Sequence, residues 1–314
     1  MKTLIFGGAG FIGANLASYL MDNEPGEILV FDNFSMGNQI VRAGLECHVI
    51  EGDMTDFESV EAALRTFGPD RVFHLAANSD IAASARNPAF DLNNTMLTTA
   101  ILAQVLRANP VKELVFASSS AIFGDVNGVI GEDTVPNPLS SYGWMKLASE
   151  YILGNLADDG VVEKYLCVRF PNVTGSWQTH GVVRDLIRKL RNNPEVLQVL
   201  GDGTQTKPYA LASDLVTSIL RICNASWSGR LEVNLGPPDQ VSVSEIVALI
   251  LDVTKLQPAI QFGSSRSGWV GDVPEYKFDL GKLGEVLGEN PFRSSRSAAR
   301  ASIEWEWSQG QVAN

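Results

Sequence analysis

Short apolar runs alternate with longer amphipathic stretches through the first half of the chain. The apolar runs have the length of strands and lie at 3–8, 27–32, 47–53, 71–77, 113–120 and 164–170. Between them, apolar residues recur at spacings of three and four, which predicts helices. Regular alternation of strand and helix favours a parallel sheet covered by helices on both faces. The predicted fold class is therefore α/β, with a doubly wound parallel sheet.

The pattern changes after Arg169, where loops rich in Gly, Pro and Ser separate shorter helical stretches. We interpret this region as a smaller C-terminal lobe that covers the carboxyl edge of the sheet, where open α/β sheets bind their ligands. The segment 208–234 has the pattern of an element that returns to the main domain. We therefore predict a main domain of residues 1–170 joined by 208–234, and a substrate-binding lobe made of 171–207 and 235–314.

Composition narrows the classes of protein that this chain can represent. The chain has 314 residues, 45% of them hydrophobic and 19% charged, as in ordinary globular proteins. A net charge of −12 argues against nucleic acid or an anionic membrane as a partner, although a small anionic ligand stays compatible with it. We expect no signal peptide, because the N-terminus lacks a basic segment and a long apolar core, and no run suits a spanning helix.

Cysteine and histidine usage predicts a cytoplasmic protein without a metal site. Cys47, Cys167 and Cys223 are odd in number and widely spaced, so we expect reduced thiols. The three histidines lack the spacing of metal ligands. His74 lies inside an apolar run, and we interpret it as a core residue rather than a functional one.

A glycine-rich motif follows the first predicted strand and opens the first predicted helix. LIFGGAGFIG places Gly7, Gly10 and Gly13 at this turn, where the free N–H groups and the dipole of the helix favour a pyrophosphate. Asp32 ends the next strand, where a carboxylate binds an adenosine ribose and would repel a 2′-phosphate. The motif indicates a Rossmann-like domain that binds NAD rather than NADP. The alternative is that the glycines only allow close packing of helix and strand.

The ends of two further strands extend the predicted cofactor site. Asp53 follows the third strand and can accept a hydrogen bond from the adenine amino group. Ala76 and Ala77 follow the fourth strand and are small enough for a cofactor to lie across the backbone. The full set expected to bind NAD is Gly7, Gly10, Phe11, Ile12, Gly13, Asp32, Asn33, Asp53, Met54, Leu75, Ala76, Ala77, Tyr142 and Lys146.

SSYGWMK places a phenol and an ammonium on one face of a predicted helix. Tyr142 and Lys146 are four residues apart, which brings their side chains together. A phenol with an ordinary pKa of about 10 is a poor base at neutral pH, and a nearby ammonium favours the phenolate. The pair can be a general base with the group that activates it, or an ordinary surface pair.

Together these motifs resemble those of the extended short-chain dehydrogenase/reductases, in particular the nucleotide-sugar epimerase/dehydratase group. The resemblance rests on the glycine motif, Asp32, Asp53, HLAA at 74–77, SSSAIFGD at 118–125 and Tyr142-x-x-x-Lys146, and continues through RFPNVTG, LGDGTQ and GDVPEY. It implies NAD as cofactor and Tyr142 as the base that removes a proton from a sugar hydroxyl. It also implies that Lys146 lowers the Tyr142 pKa and binds the nicotinamide ribose, and that Ser119 hydrogen-bonds the reacting oxygen. Ser118 and Ser120 are alternatives to Ser119.

One departure from the family pattern separates the reactions of the group. The 4,6-dehydratases carry an Asp-Glu pair directly after the Ser or Thr, and this chain has Ser120 and Ala121 there. The resemblance therefore implies epimerisation of a nucleotide sugar, at C4 through a transient 4-keto sugar. A 4-ketoreductase, a dehydrogenase or decarboxylase, an unusual dehydratase and a non-catalytic NAD-sensing module stay open as alternatives.

The resemblance also assigns residues to the substrate and suggests an assembly. The residues expected to bind substrate are Asn78, Ser119, Ser120, Asn172, Lys207 and Arg266. Further candidates for the sugar or base pocket are Ser79, Trp177, Gln178, His180 and Trp269. Lys207 and Arg266 can equally be solvated loop charges. UDP is the nucleotide that the resemblance favours, with CDP, GDP and dTDP open, and a homodimer through two long helices is expected, one of them 141–156.

Overall fold

Seven parallel strands form the largest sheet among the described residues. The computed structural model describes residues 1–78, 87–126, 128–266, 268 and 273–310. The strands are β1 (Lys2–Phe6), β2 (Glu27–Asp32), β3 (His48–Glu51), β4 (Arg71–His74), β5 (Glu113–Ala117), β6 (Val129–Ile130), β7 (Lys164–Arg169), β8 (Asn172–Thr174), β9 (Val196–Val199), β10 (Thr206–Lys207), β11 (Tyr209–Leu211), β12 (Gly229–Asn234), β13 (Val241–Ser242), β14 (Ala259–Phe262) and β15 (Lys277–Phe278). The main sheet has the order β12-β7-β5-β4-β1-β2-β3. The α/β prediction is confirmed, and each of the six predicted strands is present.

Helices follow most of the strands. They are α1 (Phe11–Asn23), α2 (Gln39–Ala43), α3 (Phe57–Phe67), α4 (Pro88–Asp91), α5 (Thr98–Ala108), α6 (Ser141–Asp158), α7 (Val182–Asn192), α8 (Ala212–Cys223), α9 (Val243–Thr254), α10 (Gly281–Leu287) and α11 (Ser295–Gln309). A π-helical segment, Leu92–Leu97, joins α4 to α5. None of the helices in the described ranges is long and apolar enough to cross a membrane.

The central strands β1, β4, β5 and β7 of the main sheet are buried on both faces, which explains their continuous apolar runs in the sequence. Along β1, Leu4 and Phe6 pack into one core cluster with α3, α5 and α6, whereas Ile5 points to the opposite cluster with α1 and α8. Successive side chains of a strand alternate between faces, so both must be apolar when helices cover both. The runs extend beyond the strands because their last residues form the loops of the carboxyl edge.

A third core cluster lies in the C-terminal half, where α7, α9 and α11 pack together. Within 208–234, the strand that joins the main sheet is β12, which pairs with β7. Strand β11 instead pairs with β8 in a separate two-stranded sheet, although α8 packs against the main sheet. The boundaries that we assign to the main domain and the lobe stay a prediction.

The sequence predicts one helix over 90–110, and the structure interrupts it with the π-helical segment. Side chains in and directly after this segment donate hydrogen bonds to backbone carbonyls. Thr99 Oγ1 donates to Thr95 O at 2.8 Å, and Asn94 Nδ2 donates to Phe90 O at 2.8 Å. Thr98 Oγ1 donates to the same Thr95 carbonyl at 3.0 Å. Such bonds compete with the backbone ladder of an α-helix, and apolar spacing alone does not reveal them.

Candidate active site

A cavity of about 840 Å³ lies between the carboxyl ends of the main sheet and the C-terminal segments. It begins where the strand order reverses, since β1 pairs with β2 on one side and with β4 on the other. Such a switch point opens a crevice between the loops that follow neighbouring strands. The predicted cofactor residues from Gly7 to Ala77 all line this cavity, and so do Tyr142 and Lys146.

The glycine turn after β1 brings the backbone close to the loop after β4. Gly7 has a φ of +77°, and a Cβ built on it would lie 2.5 Å from the backbone nitrogen of Ala76. A Cβ on Gly13 would lie 2.5 Å from the carbonyl oxygen of Gly7. Helix α1 begins directly after Gly10, and no side chain caps its first N–H groups. The turn therefore has the open backbone surface that a pyrophosphate group requires.

Carboxylates lie beside this turn at the ends of β2 and β3. Asp32 accepts hydrogen bonds from the backbone nitrogens of Ala9 at 2.9 Å and Phe34 at 2.8 Å, and burial raises its pKa. Asn33 Nδ2 donates to Asp53 Oδ2 at 3.0 Å. Partial burial of Asp53 would raise its pKa, but hydrogen bonds from Thr55 and Asn33 lower it overall. These acceptors are suited to the hydroxyl groups of a ribose and to an amino group.

Ser119, Tyr142 and Lys146 meet at the end of β5, although they come from separate elements. Ser119 follows β5, and its hydroxyl lies close enough to the phenol of Tyr142, in the first turn of α6, to lower the pKa of that phenol. Lys146 Nζ lies 5.8 Å from the centre of the Tyr142 ring and donates to the carbonyl oxygen of Ala117 at 2.6 Å. The structure therefore brings the three predicted catalytic side chains together in the cavity.

Burial controls the protonation of this pair. Burial raises the pKa of Tyr142 to about 12, the hydrogen bond from Ser119 opposes that rise, and Asp91 adds to it. Burial lowers the pKa of Lys146 to about 8, while Cys167 and, after it, the charge of Glu150 oppose the fall. In the protein by itself, the nearby ammonium thus does not bring the Tyr142 pKa below its ordinary value. The expectation of a lowered pKa applies only with further positive charge in the cavity.

The residues assigned to substrate do not all face the cavity. Asn78, Ser119, Asn172 and Lys207 line it, together with Gln178 and His180. Ser120 Oγ donates instead to the hydroxyl of Tyr276 at 3.2 Å. Arg266 lies on the surface, where Nη2 is 3.0 Å from Glu275 Oε2 and 65% of its side chain is exposed. The roles of Ser120 and Arg266 at the substrate therefore stay predictions that this geometry does not favour.

The remaining residues singled out in the sequence have different outcomes. Trp177 packs edge-to-face against Trp305, with ring centres 6.4 Å apart. Ser79 and Trp269 lie outside the described residues. His74 is fully buried in β4 and hydrogen-bonded to Thr99 Oγ1 at 2.9 Å, as expected of a core histidine.

Comparison with known proteins identifies the family. The model of the NAD dependent epimerase/dehydratase family matches residues 3–236. The chain belongs to this family. The UDP-glucose 4-epimerase of Corynebacterium glutamicum is 31% identical over 287 residues, which are 85% of each chain. The structure is similar to that of UDP-glucose 4-epimerase from Thermotoga maritima with UDP-glucose (27% identity, TM-score 0.87, 98% and 99% of the two chains). It is also similar to the Thermus thermophilus UDP-glucose 4-epimerase complex with NAD (26%, TM-score 0.86, 98% and 99%).

The residues of this NAD-dependent epimerase/dehydratase fit the cofactor in its family name. The turn at Gly7 and Gly13 has no room for a Cβ. A phosphate group can approach a backbone closely only where side chains are absent, so this turn suits a phosphate. Asp32 offers carboxylate oxygens beside the turn, and no Arg or Lys follows it within the same loop. Tyr142 and Lys146 lie at the opposite part of the cavity lining, after β5. The set is suited to an extended dinucleotide.

Sequence reasoning missed several polar residues that hold this site. Asp91 is fully buried and accepts from Asn78 Nδ2 at 2.7 Å, which holds one predicted substrate residue in place. Asn94 and Thr98 of the π-helical region also line the cavity. Glu150 and Arg169 form a buried ion pair behind Lys146. Their common feature is burial, and a charged residue in an amphipathic sequence is ordinarily assigned to the surface.

Proposed function

We propose that the protein epimerises a nucleotide-diphosphate sugar at C4 with NAD as cofactor. The observation that supports this most is the meeting of Ser119, Tyr142 and Lys146 in the same cavity as the glycine turn and Asp32. A binding module that only sensed NAD would need the turn and Asp32, but not a phenol, a hydroxyl and an ammonium at the other end. The names of the relatives support UDP-glucose and UDP-galactose as the substrates.

The proposed chemistry assigns one task to each of the three side chains. Bound NAD supplies the hydride acceptor and donor, and the positive charge of its oxidised nicotinamide. Ser119 and Tyr142, whose side chains lie close together, hold the reacting sugar oxygen between them. Tyr142 takes the hydroxyl proton as the carbon gives up its hydride and becomes a ketone. It returns the proton after the sugar has turned its other face towards the hydride donor. Lys146 favours the phenolate by its charge.

The residues after Ser119 argue against dehydration as the main reaction. Ser120 and Ala121 have no carboxyl group, and the hydroxyl of Ser120 bonds to Tyr276. Elimination of water by the usual route requires an acid and a base at those positions. A reductase or decarboxylase shares the same three side chains, so the products have to decide between these alternatives.

The direct test is incubation of the purified protein with NAD⁺ and a panel of nucleotide sugars, with products identified by NMR. We expect interconversion of UDP-glucose and UDP-galactose without net consumption of NAD⁺. Stoichiometric NADH release would instead indicate a dehydrogenase. Replacing Tyr142 with Phe should remove turnover and leave NAD binding, measured by calorimetry, largely intact. Near-normal turnover in this variant would refute the role of Tyr142.

We also propose a cytoplasmic homodimer in which α5 and α6 contact a second copy. Support comes from large apolar side chains exposed on α6 and on the π-helical segment that precedes α5, with exposed fractions of 52% for Trp144, 60% for Tyr151 and 39% for Leu97. Apolar residues at such a density are typical of an interface. Cys167 and Cys223 are buried free thiols, which suits a reducing compartment. Sedimentation equilibrium measures the assembly directly.

A further inference from the structure

Three consecutive residues at the end of β5 face three side chains of α6. Ala117 O accepts a hydrogen bond from Lys146 Nζ at 2.6 Å, Ser118 Oγ donates one to Glu150 Oε1, and the Ser119 hydroxyl lies close enough to Tyr142 to lower the pKa of its phenol. The helix residues are spaced by four, so they occupy one face over two turns. The proposed catalytic residues take up two of these three contacts, and the third belongs to a carboxylate with no assigned role.

Glu150 is as deeply buried as the ammonium beside it. Its exposed fraction is 2%, equal to that of Lys146. The carboxylate is paired with Arg169 of β7, which donates from Nη2 to Oε2 at 2.7 Å and from Nε to Oε1 at 3.1 Å. A buried carboxylate stays ionised only with such compensation. The chain therefore keeps a negative charge one helical turn behind Lys146.

Arg169 is itself held in a fixed position. Its Nη1 donates to the carbonyl oxygen of Glu132 at 3.1 Å, and its guanidinium lies 5.4 Å from the centre of the Phe123 ring. The side chain of Glu132 accepts from the backbone nitrogen of Asn234 at 2.7 Å. These contacts join α6 to β7, β12 and the loop near β6. The ion pair is therefore held in place by the surrounding fold, unlike a flexible surface pair.

We propose that Glu150, held by its ion pair with Arg169, is a positioning residue that keeps Lys146 protonated and so sets the upper pH limit of turnover. This inference rests on the proposed function, in which a charged Lys146 supports the Tyr142 base. Glu150 reaches neither cofactor nor substrate in this arrangement and acts through Lys146. Because it lies one turn from Lys146 and two turns from Tyr142, its charge acts more strongly on the ammonium than on the phenol.

The other charged and titratable groups around this pair do not replace Glu150. Cys167 on β7 and His74 on β4 face Lys146, and burial keeps both neutral by raising the pKa of the thiol and lowering that of the imidazole. Glu232 on β12 acts on Arg169 from the far side. Tyr165 donates to the backbone oxygen of Glu150, at 3.4 Å. Two side chains oppose the effect of burial on the Lys146 pKa, first Cys167, whose thiolate form burial disfavours, and then the carboxylate of Glu150.

The test replaces Glu150 with Gln, which keeps the size of the side chain and removes its charge. Turnover of the NAD-loaded enzyme falls at high pH when Lys146 loses its proton, which gives the pH–rate profile an alkaline limb. We expect this alkaline limb to move about one pH unit lower in the variant. The second readout is the titration of Lys146 in the protein without substrate, followed by NMR of ¹³Cε-labelled lysine and assigned with Lys146→Arg. It should move in the same direction.

Glu113→Gln is the matched control. Glu113 is 5% exposed and pairs with Arg71 at the opposite end of the same sheet, so its loss perturbs a comparable buried pair far from Lys146. We expect a similar drop in thermal stability and no movement of the alkaline limb. Equal movement in both variants, or none in folded Glu150→Gln, would overturn the proposal.

Two further arms keep the outcome interpretable. If Glu150→Gln does not fold, the double variant Glu150→Gln/Arg169→Gln removes both charges, and it too should lower the pH at which Lys146 titrates. An unchanged titration there counts against the inference. Absence of turnover with every nucleotide sugar would refute the proposed function, whereas the lysine titration would still decide the role of Glu150.

Discussion

Alanine substitutions in the glycine turn can separate two effects on stability, the strain of a left-handed backbone and the steric clash of an added Cβ. Gly7→Ala would introduce a side chain where φ is +77° and where the Cβ would lie 2.5 Å from Ala76 N and 2.7 Å from Ala76 Cα. Gly13→Ala meets backbone equally closely, at 2.5 Å from Gly7 O, but Gly13 is helical. Gly68→Ala has the strain alone, because its φ is +60° and nothing lies within 4 Å.

The expected losses of unfolding free energy follow from these distances. A left-handed residue with a Cβ costs about 1–2 kcal/mol, of which about 0.4–1 kcal/mol is offset because alanine restricts the unfolded chain. Gly68→Ala should therefore lose about 0–1.6 kcal/mol. Contacts with rigid backbone add about 1–3 kcal/mol, so Gly7→Ala should lose about 1–4.6 kcal/mol. Gly13→Ala recovers about 1 kcal/mol of helix propensity and should fall between them.

Urea denaturation measures the three losses, and calorimetry with NAD measures the consequence for the cofactor. We expect Gly7→Ala and Gly13→Ala to weaken NAD binding, since the turn has to shift to admit the methyl group. Gly68→Ala should leave NAD binding unchanged, because its loop is remote from the cavity. A loss for Gly7→Ala no larger than that for Gly68→Ala would refute the steric argument. Unchanged NAD affinity in all three would refute the location of the pyrophosphate.

Two further predictions concern single side chains. Lys207→Ala should weaken binding of the nucleotide sugar about tenfold, since it removes a cation from the cavity lining, while Arg266→Ala should not, because Arg266 is paired at the surface. Equal losses in calorimetry would contradict this placement. Burial lowers the pKa of His74 to about 3. Below pH 6.5 the unfolded chain therefore binds a proton at this residue that the folded protein does not bind. The contribution of His74 to the free energy of unfolding is fully present above pH 6.5 and should fall by about 3 kcal/mol towards pH 4. In urea titrations, His74→Gln should lose this pH dependence of the unfolding free energy, whereas the exposed control His48→Gln should keep it.

The central strands of the main sheet were predictable because they are buried on both faces. Most positions of a strand such as β1 are then apolar, and an apolar run with turn residues after it has few alternative interpretations. The grouping of Ser119, Tyr142 and Lys146 was predictable for a different reason. Tyr142 and Lys146 are linked by helix geometry, and the end of β5 is adjacent to that helix in a parallel sheet. Local patterns thus located the residues that depend on local geometry.

Residues that depend on distant packing were not predictable in this way. Asp91 and Glu150 are charged residues in helices, and a helix pattern assigns such residues to solvent. Glu150 is at the third position of the spacing that begins with Tyr142, so the sequence did contain a pattern, but nothing indicated its partner Arg169. The substrate role predicted for Arg266 also depends on distant packing. The fold pairs Arg266 with Glu275 at the surface, which does not favour that role, and the role stays a prediction.

The protonation of the site connects the proposed chemistry to the buried ion pair. Burial keeps Tyr142 protonated at neutral pH, with a pKa of about 12, and brings the pKa of Lys146 down to about 8. A positive charge that enters the cavity lowers both values. This change assists Tyr142, because a phenolate becomes accessible, but it works against the protonated state of Lys146. A fixed negative charge nearer to Lys146 than to Tyr142 opposes the second effect with little cost to the first, and Glu150 is in that position on α6.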